Sequence, residues 1–158
     1  MDLSKTLFTI LVLVTLDQIS KFWISSNLLI GESINLLPFL NLTLVHNSGI
    51  AFSLFNYGGE LYRWLLTAVI LLVLAYLILL LIRSTKLHRL ENLSLIFIVC
   101  GGIANLIDRI FFGYVIDFIH LYYHQYSFYV FNLADSYITI GIIIYLYYFL
   151  SFEENRKE

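Results

Sequence analysis

Long apolar runs separated by short polar stretches dominate the chain. Residues Trp64 to Ile82 carry no charge, and a helix of that length spans roughly 28 Å, close to the bilayer hydrocarbon core of about 30 Å. The runs from Leu93 to Ile107 and from Ile138 to Phe152 reach this length only with their adjoining polar residues. A first span over about residues 4–26 must include two charged side chains. The pattern therefore predicts four transmembrane helices.

A different pattern occupies the segment between the first two spans. The stretch LNLTLVHN, residues 40–47, alternates apolar and polar side chains, and Pro38 and several glycines interrupt the surrounding sequence. Alternation with a period of two is typical of strands, and proline and glycine are typical of turns. Residues 28–60 are therefore predicted to form strands and turns outside the membrane.

The composition agrees with a membrane protein. Of the 158 residues, 60% are hydrophobic, more than a single soluble core of this length would bury. The net charge of −2 gives no reason to expect a nucleic-acid partner. Cys100 is the only cysteine, which excludes an intrachain disulfide and indicates a small buried apolar side chain. No internal repeat or linker divides the chain, so residues 1–158 are expected to form one domain.

Basic residues predict the orientation in the membrane. With four spans, Lys5, the loop around residues 83–89 and the pair Arg156 and Lys157 fall on one side. The positive-inside rule makes that side cytoplasmic. Both termini are therefore expected inside, with residues 28–60 and 110–130 outside; Arg63 is the one outer basic residue that does not belong to a candidate site.

Four carboxylates reach a similar depth in this topology. Asp17 lies about 18 Å along its helix from Lys5, and Asp108 and Asp135 lie about 25–27 Å from the cytoplasmic ends of theirs. Asp117 follows Asp108 by nine residues and can return to the same level. A charge within the membrane costs several kcal/mol unless it is paired or solvated. Four acids at one depth therefore indicate a functional site.

Local pairing accounts for only part of this cluster. Asp17 and Lys21 are spaced i and i+4, which favours an ion pair, and Asn105 and Arg109 share that spacing, with Asp108 beside them. Asp117 and Asp135 have no obvious basic partner. Two carboxylates held together share one proton, and the resulting acid and base can activate water against an amide. Three asparagines can donate to the peptide carbonyl or its oxyanion: Asn47, Asn105 and Asn132.

Structural alternatives exist for each of these residues taken singly. Asp135 can be the N-cap of the last helix, the Asp17 and Lys21 pair can be purely structural, and Gly101 with Gly102 favours close helix packing. A small proton-coupled transporter would also use buried carboxylates, although it would distribute them across the bilayer. A purely structural membrane subunit would not need so many charges. His120 and His124 lack the glutamate of the H-E-x-x-H zinc motif.

Five ordered blocks together resemble the signature of the lipoprotein signal peptidase (signal peptidase II) family. They are DQISK (17–21), HNSGIAFS (46–53), GGIANLIDR (101–109), GYVIDF (113–118) and FNLADS (131–136). The resemblance implies an intramembrane aspartic endopeptidase that cuts prolipoproteins before a diacylglyceryl-modified cysteine. It implies a catalytic pair, Asp117 and Asp135. The supporting positions that it implies are Asp17, Lys21, Asn47, Gly49, Asn105, Asp108, Arg109, Asn132 and Ala134.

The resemblance also implies the architecture and setting. The family fold has four transmembrane helices, an extracytoplasmic β-cradle (about 28–60) and a short helical lid (about 110–130). We expect a monomer in the bacterial cytoplasmic membrane, in contact with membrane lipid, with its site on the outer side and no metal or other cofactor. The chain departs from the family pattern at Ser20, where threonine is usual, and at Ala104, where glycine is common.

Overall fold

The computed structural model describes residues 3–49, 59–83 and 88–152. Its elements follow in the order α1 (Leu3–Asn27), β1 (Ser33–Leu37), β2 (Leu40–Asn47), α2 (Gly59–Arg83), α3 (Arg89–Phe111), β3 (Val115–Tyr123), β4 (Tyr126–Ser127) and α4 (Leu133–Phe152). Each of the four helices is long and apolar enough to cross a membrane. The prediction of four spans is confirmed, and each helix includes the polar end residues that its apolar run required.

Helix α3 is the centre of the helical bundle and packs against the other three helices. Two glycines on its surface allow close approach. A Cβ at Gly101 would overlap the carbonyl oxygen of Ala134 in the first turn of α4, and one at Gly102 would overlap the side chain of Leu74 in α2. The predicted packing role of this glycine pair is confirmed. Cys100 beside them is fully buried, as predicted.

The strands form one antiparallel sheet in the order β1-β2-β3-β4. One face packs on the C-terminal end of α1, where Ile24 and Leu28, the residue after the helix, contact Leu44, Ile116 and Phe118. The strands predicted within residues 28–60 are confirmed at 33–47, and residues 50–58 of that prediction lie outside the described residues. The sheet is therefore anchored on the helix that carries Asp17 and Lys21.

The helical lid expected at about 110–130 is wrong. Helix α3 ends at Phe111, and most of the segment that follows is strand, in β3 and β4. The stretch VIDFIHLYY is rich in β-branched and aromatic side chains, which favour strands, and it pairs along its length with β2. This segment completes the sheet and carries Asp117 as the third residue of β3.

Candidate active site

Asp117 occupies a strand position where both faces of the sheet are covered. Val115 to Phe118 are all buried, and Asp117 is 1% exposed. It pairs with Val45 across β2, after a bulge between Leu42 and Val45 that shifts the register. Residues two apart on a strand share a face, so Asn47 lies diagonal to Asp117 and its Nδ2 donates to Asp117 Oδ2 at 2.9 Å. The bulge thus sets which side chain of β2 meets the carboxylate.

Asp135 lies in the first turn of α4, as the third residue of the helix. The N-cap is Asn132, whose Oδ1 accepts a hydrogen bond from Asp135 N at 2.8 Å. In return, Asp135 Oδ2 accepts from Asn132 N at 3.3 Å. This reciprocal arrangement is a capping box. The alternative that Asp135 itself caps α4 is therefore wrong, and its second oxygen, Oδ1, accepts from Asn105 Nδ2 at 2.8 Å.

Asn132 connects the two aspartates. Its Nδ2 donates to Asp117 Oδ1 at 2.6 Å, while its Oδ1 and its backbone N–H hold Asp135. The contact follows from the backbone, because Phe131 pairs with Ile119 of β3 immediately before α4 begins. The pairing of Phe131 with β3 therefore brings the first turn of α4 next to Asp117.

The asparagine amides are directed at carboxylates in this structure. Asn132 Nδ2 also donates to Asn105 Oδ1 at 3.2 Å, which uses both of its N–H groups, and Asn47 and Asn105 donate to Asp117 and Asp135 respectively. Donation from these amides to a substrate carbonyl stays a prediction. What the geometry does show is a pair of acids held by three amides.

Lys21 lies beneath this pair in a buried charged cluster. Its Nζ is 2.8 Å from Asp17 Oδ2 and 2.9 Å from Asp108 Oδ2, and it donates to Asn105 Oδ1 at 2.9 Å. The predicted pair of Asp17 and Lys21 is confirmed. The structure places Asp108 on the same cation, although the sequence pattern had only set it beside Arg109.

Both carboxylates of the cluster also hold backbone atoms near the aspartate pair. Asp17 Oδ1 accepts from Ala134 N at 2.8 Å, the residue before Asp135. Asp108 Oδ2 accepts from Ile116 N at 3.1 Å, the residue before Asp117. All three charged side chains are at most 1% exposed. The cluster therefore holds the backbone immediately before Asp135 and before Asp117.

Burial changes the chemistry of Asp117. Loss of hydration raises the pKa of Asp117 to about 6, and the negative charge of Asp135 acts in the same direction. Hydrogen bonds from Asn47 and Asn132 and the charge of Lys21 oppose this rise in pKa. Asp117 therefore exchanges its proton near neutral pH, where a general acid or base is most effective.

Two further predicted positions have more modest contacts. Arg109 Nη1 donates to Asn105 O at 3.3 Å, which agrees with their i and i+4 spacing. Gly49 has a φ of +95°, which favours glycine, and its N–H donates to Asn47 Oδ1 at 2.9 Å. Both residues thus hold the asparagines that contact the aspartate pair.

A sequence profile described as Signal peptidase (SPase) II matches residues 9–151. The chain belongs to the signal peptidase II family. Proteins named Lipoprotein signal peptidase are 46% identical over 139 residues in Bartonella quintana, covering 87% of this chain and 81% of the relative, and 40% identical over 147 residues in Streptococcus pyogenes serotype M1, covering 91% and 93%.

A solved bacterial membrane enzyme has the same fold as this family member. It aligns with a TM-score of 0.80 at 30% identity, covering 99% of this chain and 93% of the other. Together with the four membrane-length helices, membership in a signal peptidase family makes this a multi-pass membrane protein and a protease. The transporter and the structural subunit have no support from these comparisons.

Gln18 belongs to the buried cluster, although the sequence pattern does not predict it. Gln18 Nε2 donates to Asp108 Oδ1 at 2.9 Å and to Ala104 O at 3.1 Å, which ties α1 to α3. These two partners lie more than 80 residues away, so the only local signal is its place beside Asp17, whose Oδ2 accepts from Gln18 Nε2 at 3.5 Å. Across residues 3–49, 59–83 and 88–152, no group of three or more His, Cys, Asp or Glu side chains could hold a metal ion.

Gly101→Ala is expected to impair this family member strongly. The added methyl would overlap the backbone oxygen of Ala134, so α4 must move away from α3, and Asp135 is the next residue. Overpacking of this kind costs about 1–3 kcal/mol, and we expect kcat to fall more than the thermal midpoint suggests. The measurement compares kcat and the unfolding midpoint with those of Gly31→Ala, which strains the backbone at a φ of +82° but places its methyl where no atom lies within 4 Å. That control therefore loses stability without crowding α4. Equal kcat for the two variants would contradict this role.

Proposed function

We propose that this protein is an intramembrane aspartic endopeptidase that removes signal peptides from diacylglyceryl-modified prolipoproteins, cutting just before the lipidated cysteine. The observation that carries the proposal is the link from Asp117 Oδ1 through Asn132 to Asp135. Membership in the signal peptidase II family and relatives named Lipoprotein signal peptidase support the substrate class. Asp117 and Asp135 are the proposed catalytic residues.

The environments of the two acids suggest how they divide the work. Asp117 carries the shared proton, because burial raises its pKa. Asp135 carries the negative charge, at the amino end of α4 where the helix dipole stabilises an anion. In the first step Asp135 takes a proton from water, the hydroxide attacks the peptide carbon, and Asp117 gives its proton to the carbonyl oxygen.

The second step restores both groups. The gem-diol returns a proton from one hydroxyl to Asp117, the carbon–nitrogen bond breaks, and Asp135 gives its proton to the departing nitrogen. The products are a free carboxyl end on the signal peptide and a free amine on the lipidated cysteine. Protons balance over the cycle without a metal or other cofactor.

The remaining predicted positions support this pair in the proposal. Asp17, Lys21 and Asp108 hold the backbone of Ala134 and Ile116, and Asn47, Asn105 and Asn132 hold the carboxylates. The sheet in 33–47 and 115–127 contacts the substrate from the extracytoplasmic side. The protein works as a monomer in the bacterial inner membrane, and the substrate enters sideways from the lipid.

The test uses purified full-length protein and two synthetic prolipoprotein peptides, one with diacylglyceryl on its cysteine and one without. Mass spectrometry locates the cut. We expect cleavage of the lipidated peptide at the bond before the cysteine and little cleavage of the other. Failure to cleave the lipidated peptide, or a cut at another bond, would overturn the proposed function.

The pH dependence of kcat/KM reports the proposed proton on Asp117. Because the free enzyme needs this group protonated, activity should be present below its pKa and decline as the pH rises through about 6. Asn47→Ala removes a donor that favours the ionised form, so the pKa of Asp117 rises and the alkaline limb moves up by about one pH unit.

Asn35→Ala is the matched control for this shift. Asn35 lies on β1, where its amide contacts Asn41 and Tyr122 rather than a carboxylate of the pair. The alkaline limb of its profile should lie at the same pH as that of the wild type. An alkaline limb that stays in place in Asn47→Ala, or moves to lower pH, would contradict the assignment of the proton to Asp117.

A further inference from the structure

Arg63 of α2 lies against the turn between α3 and β3. A Cβ built on Gly113 would be 2.7 Å from Arg63 Cζ and 2.8 Å from both Nε and Nη1. The guanidinium therefore occupies the space that any side chain at Gly113 would need. Arg63 is the outer basic residue that does not belong to the candidate site. Its contact with Gly113 shows which part of the fold this charge meets.

The attraction between Arg63 and this turn is mainly electrostatic. Nη2 is 3.5 Å from the carbonyl oxygens of Arg109 and Ile110, in the last turn of α3, where the helix dipole creates partial negative charge. Arg109 O also accepts from Gly113 N at 3.1 Å. Nε is buried and has no hydrogen-bond partner in the part of the chain that the structure describes. The Cζ atom also lies 5.1 Å from the ring centroid of Trp64, within cation–π range.

This turn determines where β3 begins. Gly113 has a φ of +86°, a conformation that favours glycine, and only residues 112–114 separate α3 from β3. Asp108 holds the β3 end of the turn, because its Oδ2 accepts from Ile116 N. Arg63 contacts the turn from a second helix. Asp117 follows Gly113 by four residues along a strand, so a displaced turn moves its carboxylate.

We propose that Arg63 is a positioning residue, whose guanidinium on Gly113 fixes the α3–β3 turn and thereby the carboxylate of Asp117 against Asn47 and Asn132. The inference rests on the proposed catalytic role of Asp117. It links α2, which contributes no member of the aspartate pair or of the Lys21 cluster, to the geometry of the site.

The test compares Arg63→Ala, Arg63→Lys and the control Arg83→Ala in the purified full-length enzyme. Arg83 is exposed at the opposite end of α2. Because a displacement of about 1 Å can reduce a rate about 10²-fold, Arg63→Ala should lower kcat by about that factor and change KM by less than about threefold. Lysine keeps the charge without the planar group, so Arg63→Lys should stay folded and recover only part of kcat. Arg83→Ala should match wild type.

Two readouts separate positioning from a general loss of structure. Free guanidinium at millimolar concentration should restore part of kcat to Arg63→Ala and none to Arg83→Ala. The alkaline limb of kcat/KM should also move to higher pH in both Arg63 variants, because a displaced Asp117 loses donors that favour its ionised form. A smaller amount of folded enzyme would leave that limb in place.

Unchanged kcat in both Arg63 variants would overturn the inference. A lower kcat without guanidinium rescue and without a shifted limb would overturn it as well, because the role would then be structural only. Neither result affects the proposed function, which fails separately if Asp117→Asn cleaves at the wild-type rate.

Discussion

Asp117→Asn and Asp135→Asn should each lower kcat for the lipidated peptide by at least about 10³-fold, because each removes a group that transfers a proton in both steps. The fold should survive. Asparagine keeps an oxygen that can accept from Asn132 at position 117 and from Asn105 at position 135. The amide NH2 that replaces the second oxygen faces a donor, Asn47 Nδ2 at position 117 and Asn132 N at position 135. We therefore expect folded variants with unfolding midpoints moderately below that of the wild type.

The matched control for these variants is Glu32→Gln. Glu32 is an exposed acid that accepts from Leu29 N in the turn before β1, away from the pair. It should cleave at the wild-type rate. Robust cleavage by either aspartate variant would contradict the mechanism, and so would a loss of activity that merely follows a loss of folded protein.

Lys21→Met should destabilise the protein by about 3–5 kcal/mol, the usual cost of leaving buried charges without their partner. Asp17 and Asp108 both depend on this one cation, and all three side chains are at most 1% exposed. A loss of that size lowers the thermal midpoint by about 10 °C or more in a chain of this length. Cleavage should fall too, because these carboxylates hold the backbone beside Asp117 and Asp135.

A second variant shows whether charge is the cause. Lys21→Met combined with Asp17→Asn and Asp108→Asn removes the unpaired negative charges, so its thermal midpoint should lie above that of Lys21→Met alone. Lys5→Met, at an exposed position on the same helix, should leave the midpoint unchanged. A triple variant no more stable than the single one would show that Lys21 contributes packing and not charge compensation.

Much of this site was predictable because its signals are local. Apolar runs predicted the spans, the i and i+4 spacing predicted the Asp17 and Lys21 pair, and counting residues along the helices brought the aspartates to one depth. Each of these inferences needs only helix geometry and the membrane thickness. The family blocks then gave Asp117 and Asp135 their proposed roles.

The missed features depend on partners distant in sequence. Lys21 meets Asp108 only because α1 packs on α3, and Asn47 meets Asp117 only through a bulge between strands 70 residues apart. The helical lid was wrong for a different reason, because it was inferred from the family resemblance and not from the residues of the segment. The strand propensity of VIDFIHLYY was readable, but its pairing partner β2 lies far upstream, so local sequence did not show which sheet it would join.

The sequence did not show whether Asp135 is the N-cap of α4 or lies within its first turn. A carboxylate at the head of an apolar helix fits both the N-cap and the third helical position. Only the structure shows that Asn132 takes the cap and leaves Asp135 one oxygen for Asn105. The capping box and the aspartate pair therefore use the same two residues.

The central claim is that Asp117 and Asp135 share one proton, and infrared titration of aspartate carboxyls tests it most directly. With isotopically labelled aspartate, the wild type should show a buried protonated carboxyl that ionises with a midpoint of about pH 6. In Asp117→Asn this signal should disappear. In Asp135→Asn the midpoint should move to lower pH, because the neighbouring negative charge is gone. The same titration in Asp117→Asn, or an unshifted midpoint in Asp135→Asn, would contradict the account.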